Sequence, residues 1–272
     1  MRDFTDKLVY ITGGSSGIGL ETARLMFSLG SHLLLFARGK EKLDQAAKDI
    51  ENHRRSPNQK INTMQLDVAD YNDVREKMPK AVDEFGVPNI IITSAGVGCA
   101  DHFENITYDS FDKLMKINVY GTRNVIAALL PFMKLRGGHI VIISSEAGLI
   151  GMYGYTSYAA SKYALVGFAE CLRSELKHHG IAVTLVCPPE VDTPFLAAEN
   201  SIPMEARALK NFAGTLKPEF VAKEIVTGII RNKFLVVPGK MARLLFIVHR
   251  LTNGMATRLT SDLVVKIVRI IK

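Results

Sequence analysis

The sequence has few cysteines and lacks an apolar segment long enough to cross a membrane. Its longest uncharged stretches, such as Val87–Ala100, contain polar residues and fall short of the roughly 18 apolar residues that a spanning helix needs. The first seven residues include two acids and no apolar core, which argues against a secretory signal. The cysteines, Cys99, Cys171 and Cys187, are odd in number and far apart, which argues against a disulfide framework or a metal site. These absences favour a reducing, cytoplasmic setting.

Positive charge is concentrated at the end of the chain. Residues 240–272 contain seven Lys/Arg and one acid, so this segment carries +6 of the formal net charge of +7. The other 239 residues are therefore close to neutral. A nucleic-acid-binding protein should carry its basic residues across a reading surface, together with a recognisable motif. Nucleic-acid binding is excluded as the main role.

Short apolar runs alternate with segments of helical spacing, and the sequence has neither an internal repeat nor a low-complexity segment. The predicted strands are Leu8–Thr12, His32–Arg38, Ile61–Val68, Asn89–Gly96, His139–Ser145 and Ile181–Pro189. The predicted helices include Ile18–Leu29, Lys40–His53, Phe111–Leu135 and Tyr158–His178. Such alternation predicts an α/β fold with a doubly wound parallel sheet of six or seven strands. The irregular stretch 190–216, which follows a strand, is where we expect a substrate lid.

A glycine-rich loop, TGGSSGIG, lies between the first predicted strand and the first predicted helix. Its glycines, Gly13, Gly17 and Gly19, permit positive φ angles and a close approach of the backbone to a ligand. The free N–H groups at the start of the helix, with the positive end of its dipole, attract a pyrophosphate. The alternative is an ordinary strand-to-helix turn. The loop favours dinucleotide binding.

The loop resembles the TGxxxGxG signature of the short-chain dehydrogenase/reductase family. The resemblance covers about residues 5–235 and implies a Rossmann-type fold and an oxidoreductase that uses a nicotinamide dinucleotide. It divides the chain into a single NADP-binding catalytic domain, residues 1–239, and a basic helical extension, residues 240–272. The cofactor-binding residues that it implies are Gly13, Ser15, Ser16, Gly17, Ile18, Gly19, Arg38, Lys42, Asp67, Val68, Ala95, Gly96, Tyr158, Lys162, Pro188, Val191 and Thr193.

The end of the second predicted strand indicates which dinucleotide is bound. NAD-preferring relatives have an acid there, which accepts hydrogen bonds from the ribose and repels a 2′-phosphate. This chain has Arg38 and Lys42 and no acid before Glu41. The sequence therefore predicts NADPH rather than NADH. For Lys42 a solvated loop position is the alternative.

Three further segments match the family. Asp67 stands where the family has an Asp beside the adenine ring, and Ser94–Gly96 matches the end of its NNAG motif. Thr93 replaces the first Asn of that motif. Cys187–Pro194 matches the PGxxxT element, with Pro189 in place of Gly. The cofactor contacts implied by this element come from Pro188, Val191 and Thr193.

Four residues form the predicted catalytic set. Tyr158 and Lys162 are four residues apart on a predicted helix, so the ammonium can lie beside the phenol. A lowered phenol pKa suits proton transfer near the working pH. The resemblance implies that Tyr158 protonates the substrate carbonyl, that Ser145 hydrogen-bonds it and that Lys162 holds the nicotinamide ribose. It also implies that Asn118 supports a water chain to Lys162.

Within the family, PPEVDTPFLAAEN and KPEFVAKEIV resemble the 3-ketodihydrosphingosine reductases. This resemblance implies NADPH-dependent reduction of a lipid-like ketone. The amine of such a substrate requires a nearby acid, for which Glu146 and Glu190 are candidates; a structural or solvent-facing role is the alternative for each. Reduction of a steroid, retinoid or 3-oxoacyl ketone remains open. The intact catalytic set argues against a non-catalytic NADPH-binding regulator, and a membrane-surface scaffold would rest on the basic tail alone.

The tail, Asp262–Lys272, is predicted to be an amphipathic helix. Lys266, Arg269 and Lys272 share one arc, and the apolar residues mostly opposite are Leu263, Val264, Ile267, Ile270 and Ile271. Such a helix suits peripheral association with an anionic membrane, and the alternative is packing on the core or on a second subunit. The family resemblance also implies a homodimer or homotetramer formed through the helices near Phe111 and Tyr158.

Overall fold

The structure is a computed structural model and describes residues 3–197, 202–210 and 214–271. Its strands are β1 (Leu8–Thr12), β2 (His32–Ala37), β3 (Ile61–Gln65), β4 (Ile90–Thr93), β5 (Gly138–Ile143), β6 (Ile181–Val186) and β7 (Leu235–Val236). All seven form one parallel sheet in the order β3-β2-β1-β4-β5-β6-β7. The strand order reverses beside β1, and such a switch point leaves a crevice where ligands bind. The predicted doubly wound α/β fold is confirmed.

Five predicted strands extend too far at their carboxyl ends. The strands β2 to β6 stop at Ala37, Gln65, Thr93, Ile143 and Val186, one to three residues before the predicted ends. The residues beyond these points, such as Arg38, Gly96 and Ser145, turn over the edge of the sheet and line a cavity. The residues next to these positions are apolar or small, as in a strand. The sequence pattern therefore continues beyond the point where the chain leaves the sheet.

Helices cover both faces of the sheet. They are α1 (Gly17–Ser28), α2 (Lys40–Glu51), α3 (Tyr71–Phe85), α4 (Tyr108–Leu114), α5 (Gly121–Met133), α6 (Thr156–Leu176), α7 (Pro194–Ala197), α8 (Met204–Lys210), α9 (Pro218–Ile230), α10 (Lys240–Leu251) and α11 (Met255–Ile271). Successive strand residues point to opposite faces. Val9 and Ile11 therefore pack with α1, α2 and α9, whereas Tyr10 packs with α3, α5 and α6.

The helix predicted over Phe111–Leu135 is interrupted. A π-helical turn, Met115–Tyr120, lies between α4 and α5. Such turns are rare and frequently occur at functional sites. This one carries Asn118, which is fully buried.

The C-terminal helix α11 is longer than the predicted tail helix, and its apolar and basic side chains are less clearly separated onto opposite faces than predicted. α11 packs against α8 and α10, and Arg269 contacts Glu205 at 3.4 Å and the Tyr153 hydroxyl at 3.1 Å. Leu263, Ile267 and Ile270 are exposed beside Lys266. α11 therefore packs on the protein through one face, with its valines half-buried, whereas contact of the exposed apolar side chains with a membrane or a second subunit stays a prediction. Lys272 lies outside the described residues, as do 198–201 and 211–213 of the predicted lid.

None of the helices within residues 3–197, 202–210 and 214–271 combines the length and apolar character needed to span a bilayer.

Candidate active site

The carboxyl ends of the strands enclose a cavity of about 600 Å³. All but two of the predicted site residues line it. The two exceptions, Gly19 and Asn118, are buried behind its wall. A Cβ on Gly19 would collide with the Gly13 carbonyl, so Gly19 allows α1 to approach the loop. The cavity has a polar end at the glycine loop and an apolar end beneath α10 and α11.

The glycine loop is shaped to hold a ligand against its backbone. Gly13 has a φ of +68°, and a Cβ there would lie 2.8 Å from the Ala95 nitrogen. Gly17, at φ +52°, leaves only 3.1 Å between such a Cβ and Thr193. The Ser16 side chain makes no capping hydrogen bond in the described part of the chain, so it does not occupy the first N–H groups of α1. These features fit a pyrophosphate, and hence a dinucleotide.

The basic residues predicted to select NADPH lie at the rim of this polar end. Arg38 and Lys42 are exposed, and neither has an ion-pair partner among the described residues. Asp67 lies deeper, where its Oδ1 accepts a hydrogen bond from the Ala69 N–H at 3.0 Å. An anionic group with several oxygens could therefore reach two free cations here.

Tyr158 and Lys162 lie one turn apart on α6, as the spacing predicts. The Lys162 ammonium is 5.6 Å from the centre of the Tyr158 ring and donates to the Ile143 carbonyl at 3.1 Å. Burial lowers the pKa of Lys162 to about 8, because a charged amine is poorly solvated there. The Ser144 hydroxyl donates to the Lys162 carbonyl at 2.9 Å and so ties α6 to the end of β5.

Asn118 connects the loop after β4 to α6. Its amide donates to the Val97 carbonyl and to the Ser161 hydroxyl, both at 2.9 Å, and its Oδ1 accepts from the Val97 N–H. Ser161 directly precedes Lys162. Asn118 therefore fixes the part of α6 that presents Tyr158 and Lys162.

Ser145 and Thr93 are placed by local hydrogen bonds. Ser145 lines the cavity and caps a short 3₁₀ turn, its Oγ accepting from the Ala147 N–H at 3.2 Å. The Thr93 hydroxyl donates to the Val141 carbonyl at 3.3 Å, which links β4 to β5 in place of an Asn contact.

The two candidate acids have different surroundings. Glu190 pairs with Lys210 at 2.8 Å and accepts a hydrogen bond from Thr215 at 2.9 Å. Glu146 is only 6 % exposed, and within the described chain its Oε1 has no hydrogen-bond partner. Burial raises the pKa of Glu146 to about 7. The sequence did not distinguish the two, because the partner of Glu190 comes from a distant segment.

Comparison with known proteins identifies the family. The sequence profile described as short chain dehydrogenase matches residues 7–202. The chain belongs to the short-chain dehydrogenase/reductase family. It is 39 % identical to the 3-ketodihydrosphingosine reductase of Mus musculus over 251 residues, 91 % of this chain and 75 % of that protein. The family resemblance is thereby confirmed, and the protein is an oxidoreductase.

Solved structures share this fold. The short chain dehydrogenase from Mycobacterium paratuberculosis bound to NAD superposes with a TM-score of 0.79 at 25 % identity, over 88 % of this chain and 98 % of that one. An alcohol dehydrogenase from Thermococcus sibiricus complexed with 5-hydroxy-NADP gives a TM-score of 0.74 at 23 % identity, over 87 % and 97 %. Structural neighbours in the family thus bind NAD or NADP.

The apolar end of the cavity was not predicted from the sequence. Its walls come from the loop after β5, from α7, from α10 and from α11, and they include Ile150, Met152, Phe195, Leu245, Val248 and Ala256. Apart from Phe195, which lies in the predicted lid 190–216, these positions carry no motif, and apolar residues there are indistinguishable from core residues by sequence. Only the folded chain brings them beside Tyr158, whose ring lies 5.9 Å from that of Phe195.

Proposed function

We propose that this short-chain dehydrogenase/reductase uses NADPH to reduce the ketone of 3-ketodihydrosphingosine, giving dihydrosphingosine. The observation that carries the proposal is that Ser145, Tyr158 and Lys162 line one cavity together with the polar glycine loop and the apolar end. The apolar end suits an alkyl chain. The name of the mouse relative supports the same substrate.

The residues of the chain have distinct roles in this reaction. Bound NADPH would supply the hydride to the carbonyl carbon. Tyr158 donates its phenolic proton to the carbonyl oxygen, and Ser145 donates a hydrogen bond to the same oxygen. Lys162 stabilises the phenolate through its positive charge and holds the nicotinamide ribose. Asn118 positions Lys162 through Ser161 and supports the water chain that returns a proton.

NADPH is proposed over NADH because of the charge at the cavity rim. The 2′-phosphate would meet Arg38 and Lys42, which are exposed there without ion-pair partners among the described residues. The pyrophosphate would lie on the loop Gly13–Gly19. Asp67 and Val68 would contact the adenine, and the nicotinamide end would be held by Ala95, Gly96, Pro188, Val191 and Thr193.

The catalytic proposal is tested with Tyr158→Phe. This variant should bind NADPH as the wild type does but lose ketone-dependent NADPH oxidation, because the ring remains and the proton donor is removed. Tyr71→Phe, which removes an exposed hydroxyl outside the cavity, is the matched control and should keep full activity. Normal turnover by Tyr158→Phe would contradict the assigned role.

The substrate is tested by NADPH oxidation with 3-ketodihydrosphingosine, steroid ketones, retinoid carbonyls and 3-oxoacyl thioesters. The proposal expects the highest kcat/KM for 3-ketodihydrosphingosine. A higher value for another ketone would reassign the substrate. If the protein binds NADPH but turns over none of these ketones, the result would instead favour a non-catalytic NADPH-binding regulator.

We further propose that α10 and α11 rest on an anionic membrane, with the protein otherwise in the cytoplasm. These helices carry nine exposed large apolar side chains, Met241, Leu244, Ile247, Leu251, Met255, Leu259, Leu263, Ile267 and Ile270. Exposed basic residues lie beside them, and the other faces of both helices line the cavity. A lipid substrate could thus pass from the bilayer into the apolar end.

Liposome co-sedimentation tests this membrane surface. Leu259→Glu combined with Leu263→Glu should reduce binding to anionic vesicles, because both side chains are exposed on α11. Leu135→Glu changes an exposed leucine far from α11 in sequence and should leave binding intact. Equal partitioning of all three proteins would refute the surface.

The family commonly assembles into dimers and tetramers, and we propose such a homo-oligomer here. The segment from α4 to α5, predicted as one contact surface, exposes Tyr108 and Tyr120. Replacing both by Ser should shift the mass in light scattering toward the monomer. An unchanged mass would place the contact elsewhere.

A further inference from the structure

We propose that Glu146 is an ammonium-binding residue that recognises the amino group next to the substrate ketone. This inference rests on the proposed function and names the residue that would recognise the amine of that substrate. It assigns a substrate contact to a residue outside the Ser-Tyr-Lys set.

The position of Glu146 is the first argument. It directly follows Ser145, and both residues line the same cavity. In an amino ketone the nitrogen lies two bonds, about 2.5 Å, from the carbonyl carbon, and consecutive Cα atoms are about 3.8 Å apart. When Ser145 and Tyr158 hold the oxygen, the amine therefore lies within the reach of the neighbouring residue.

The environment of Glu146 is the second argument. The side chain is 6 % exposed, and its Oε1 has no partner among the described residues. A buried carboxylate without a partner costs several kcal/mol, so buried acids are normally paired. Burial is the only cause of its raised pKa, about 7, and this is consistent with the lack of a nearby cation. An ammonium in the cavity would pair with the charge of the carboxylate, whose Oε1 is itself enclosed by protein.

Among the described residues, none of the basic side chains that line the cavity forms an ion pair with Glu146. Lys210 is paired with Glu190 at 2.8 Å, and Lys162 donates to the Ile143 carbonyl. Arg38 and Lys42 lie at the dinucleotide end. Glu190 is neutralised by its lysine, so of the two candidate acids the structure favours Glu146.

The test compares two substrates of equal chain length. 3-Ketodihydrosphingosine carries the amine, and 1-hydroxyoctadecan-3-one lacks it. Glu146→Gln keeps the shape of the side chain and removes its charge. We expect it to lower kcat/KM for the amino ketone about 10- to 100-fold, mainly through KM, and to change the value for the amine-free ketone less than about 3-fold. Glu104→Gln, an exposed acid outside the cavity, should change neither.

A binding measurement keeps the inference separate from the proposed reaction. With NADPH present, dihydrosphingosine should raise the Tm of the wild type more than octadecane-1,3-diol does, and Glu146→Gln should abolish the difference. Equal losses for both substrates, or an unchanged variant, would overturn the role of Glu146. Failure of the wild type to turn over 3-ketodihydrosphingosine would overturn the proposed reaction, whereas the Tm comparison would still decide whether Glu146 binds an amine.

Discussion

Glu146→Gln should stabilise the ligand-free protein, and only at neutral or alkaline pH. The folded-state pKa of Glu146 is raised from 4.5 to about 7 by burial. The folded state therefore binds more protons than the unfolded state between these values, and wild-type stability falls as pH rises through this window. Each pKa unit corresponds to about 1.4 kcal/mol, which gives a cost of about 3 kcal/mol above pH 7. Gln carries no charge and avoids this cost.

The assay is denaturant unfolding of both proteins at pH 5 and pH 8. At pH 8 the variant should exceed the wild type in free energy of unfolding by about 3 kcal/mol, and at pH 5 the gap should be below about 1 kcal/mol. Glu104→Gln, with an exposed carboxyl, should show no such change with pH. A variant less stable at pH 8 would indicate a stabilising partner for the carboxylate, and a gap of the same size at both pH values would show that it does not come from ionisation. Either result would refute the reasoning.

Three further predictions concern the cofactor and the core. Arg38→Ala should raise KM for NADPH about 10- to 100-fold, because a charge-assisted contact to the 2′-phosphate is lost, and it should leave KM for NADH nearly unchanged. Steady-state kinetics with both cofactors measure these values. An equal rise in KM for the two cofactors would contradict recognition of the phosphate by Arg38. Gly13→Ala should abolish NADPH binding in a fluorescence titration, because its Cβ would lie 2.8 Å from the Ala95 nitrogen. The pKa of His139 is lowered from 6.5 to about 4 by burial, so the unfolded state binds more protons between these values. Stability should therefore drop by about 3 kcal/mol as pH falls from 6.5 to 4, a slope that His139→Gln should remove in unfolding titrations.

The fold was largely predictable because its signals are local. Alternating apolar runs and helical segments determine the sheet, and β1 was predicted with its observed ends, Leu8–Thr12. The ends of later strands were not, since residues such as Arg38 and Ser145 leave the sheet to line the cavity. The π-helical turn Met115–Tyr120 also had no sequence signal, because it differs from an α-helix only in hydrogen-bond register.

The site was predictable where a motif is contiguous and unpredictable where distant segments meet. The loop from Gly13 to Gly19 and the Tyr158–Lys162 pair were predicted because their contiguous motifs resemble those of the family. The contributions of α10 and α11 to the apolar end do not, because they depend on how the C-terminal helices cross the cavity. The pairing of Glu190 with Lys210 is equally non-local, and it separates that acid from Glu146.

Glu146 and Lys162 have altered pKa values for the same reason. Burial raises the pKa of the acid to about 7 and lowers the pKa of the base to about 8, so in the ligand-free protein each charge is costly near neutral pH. A ligand that brings an ammonium to Glu146 would reverse the first shift. In the proposed reaction, a Tyr158 phenolate beside Lys162 would reverse the second. The empty cavity is therefore unfavourable for both charges, and binding of an amino ketone should stabilise the protein most above about pH 7, where Glu146 is charged.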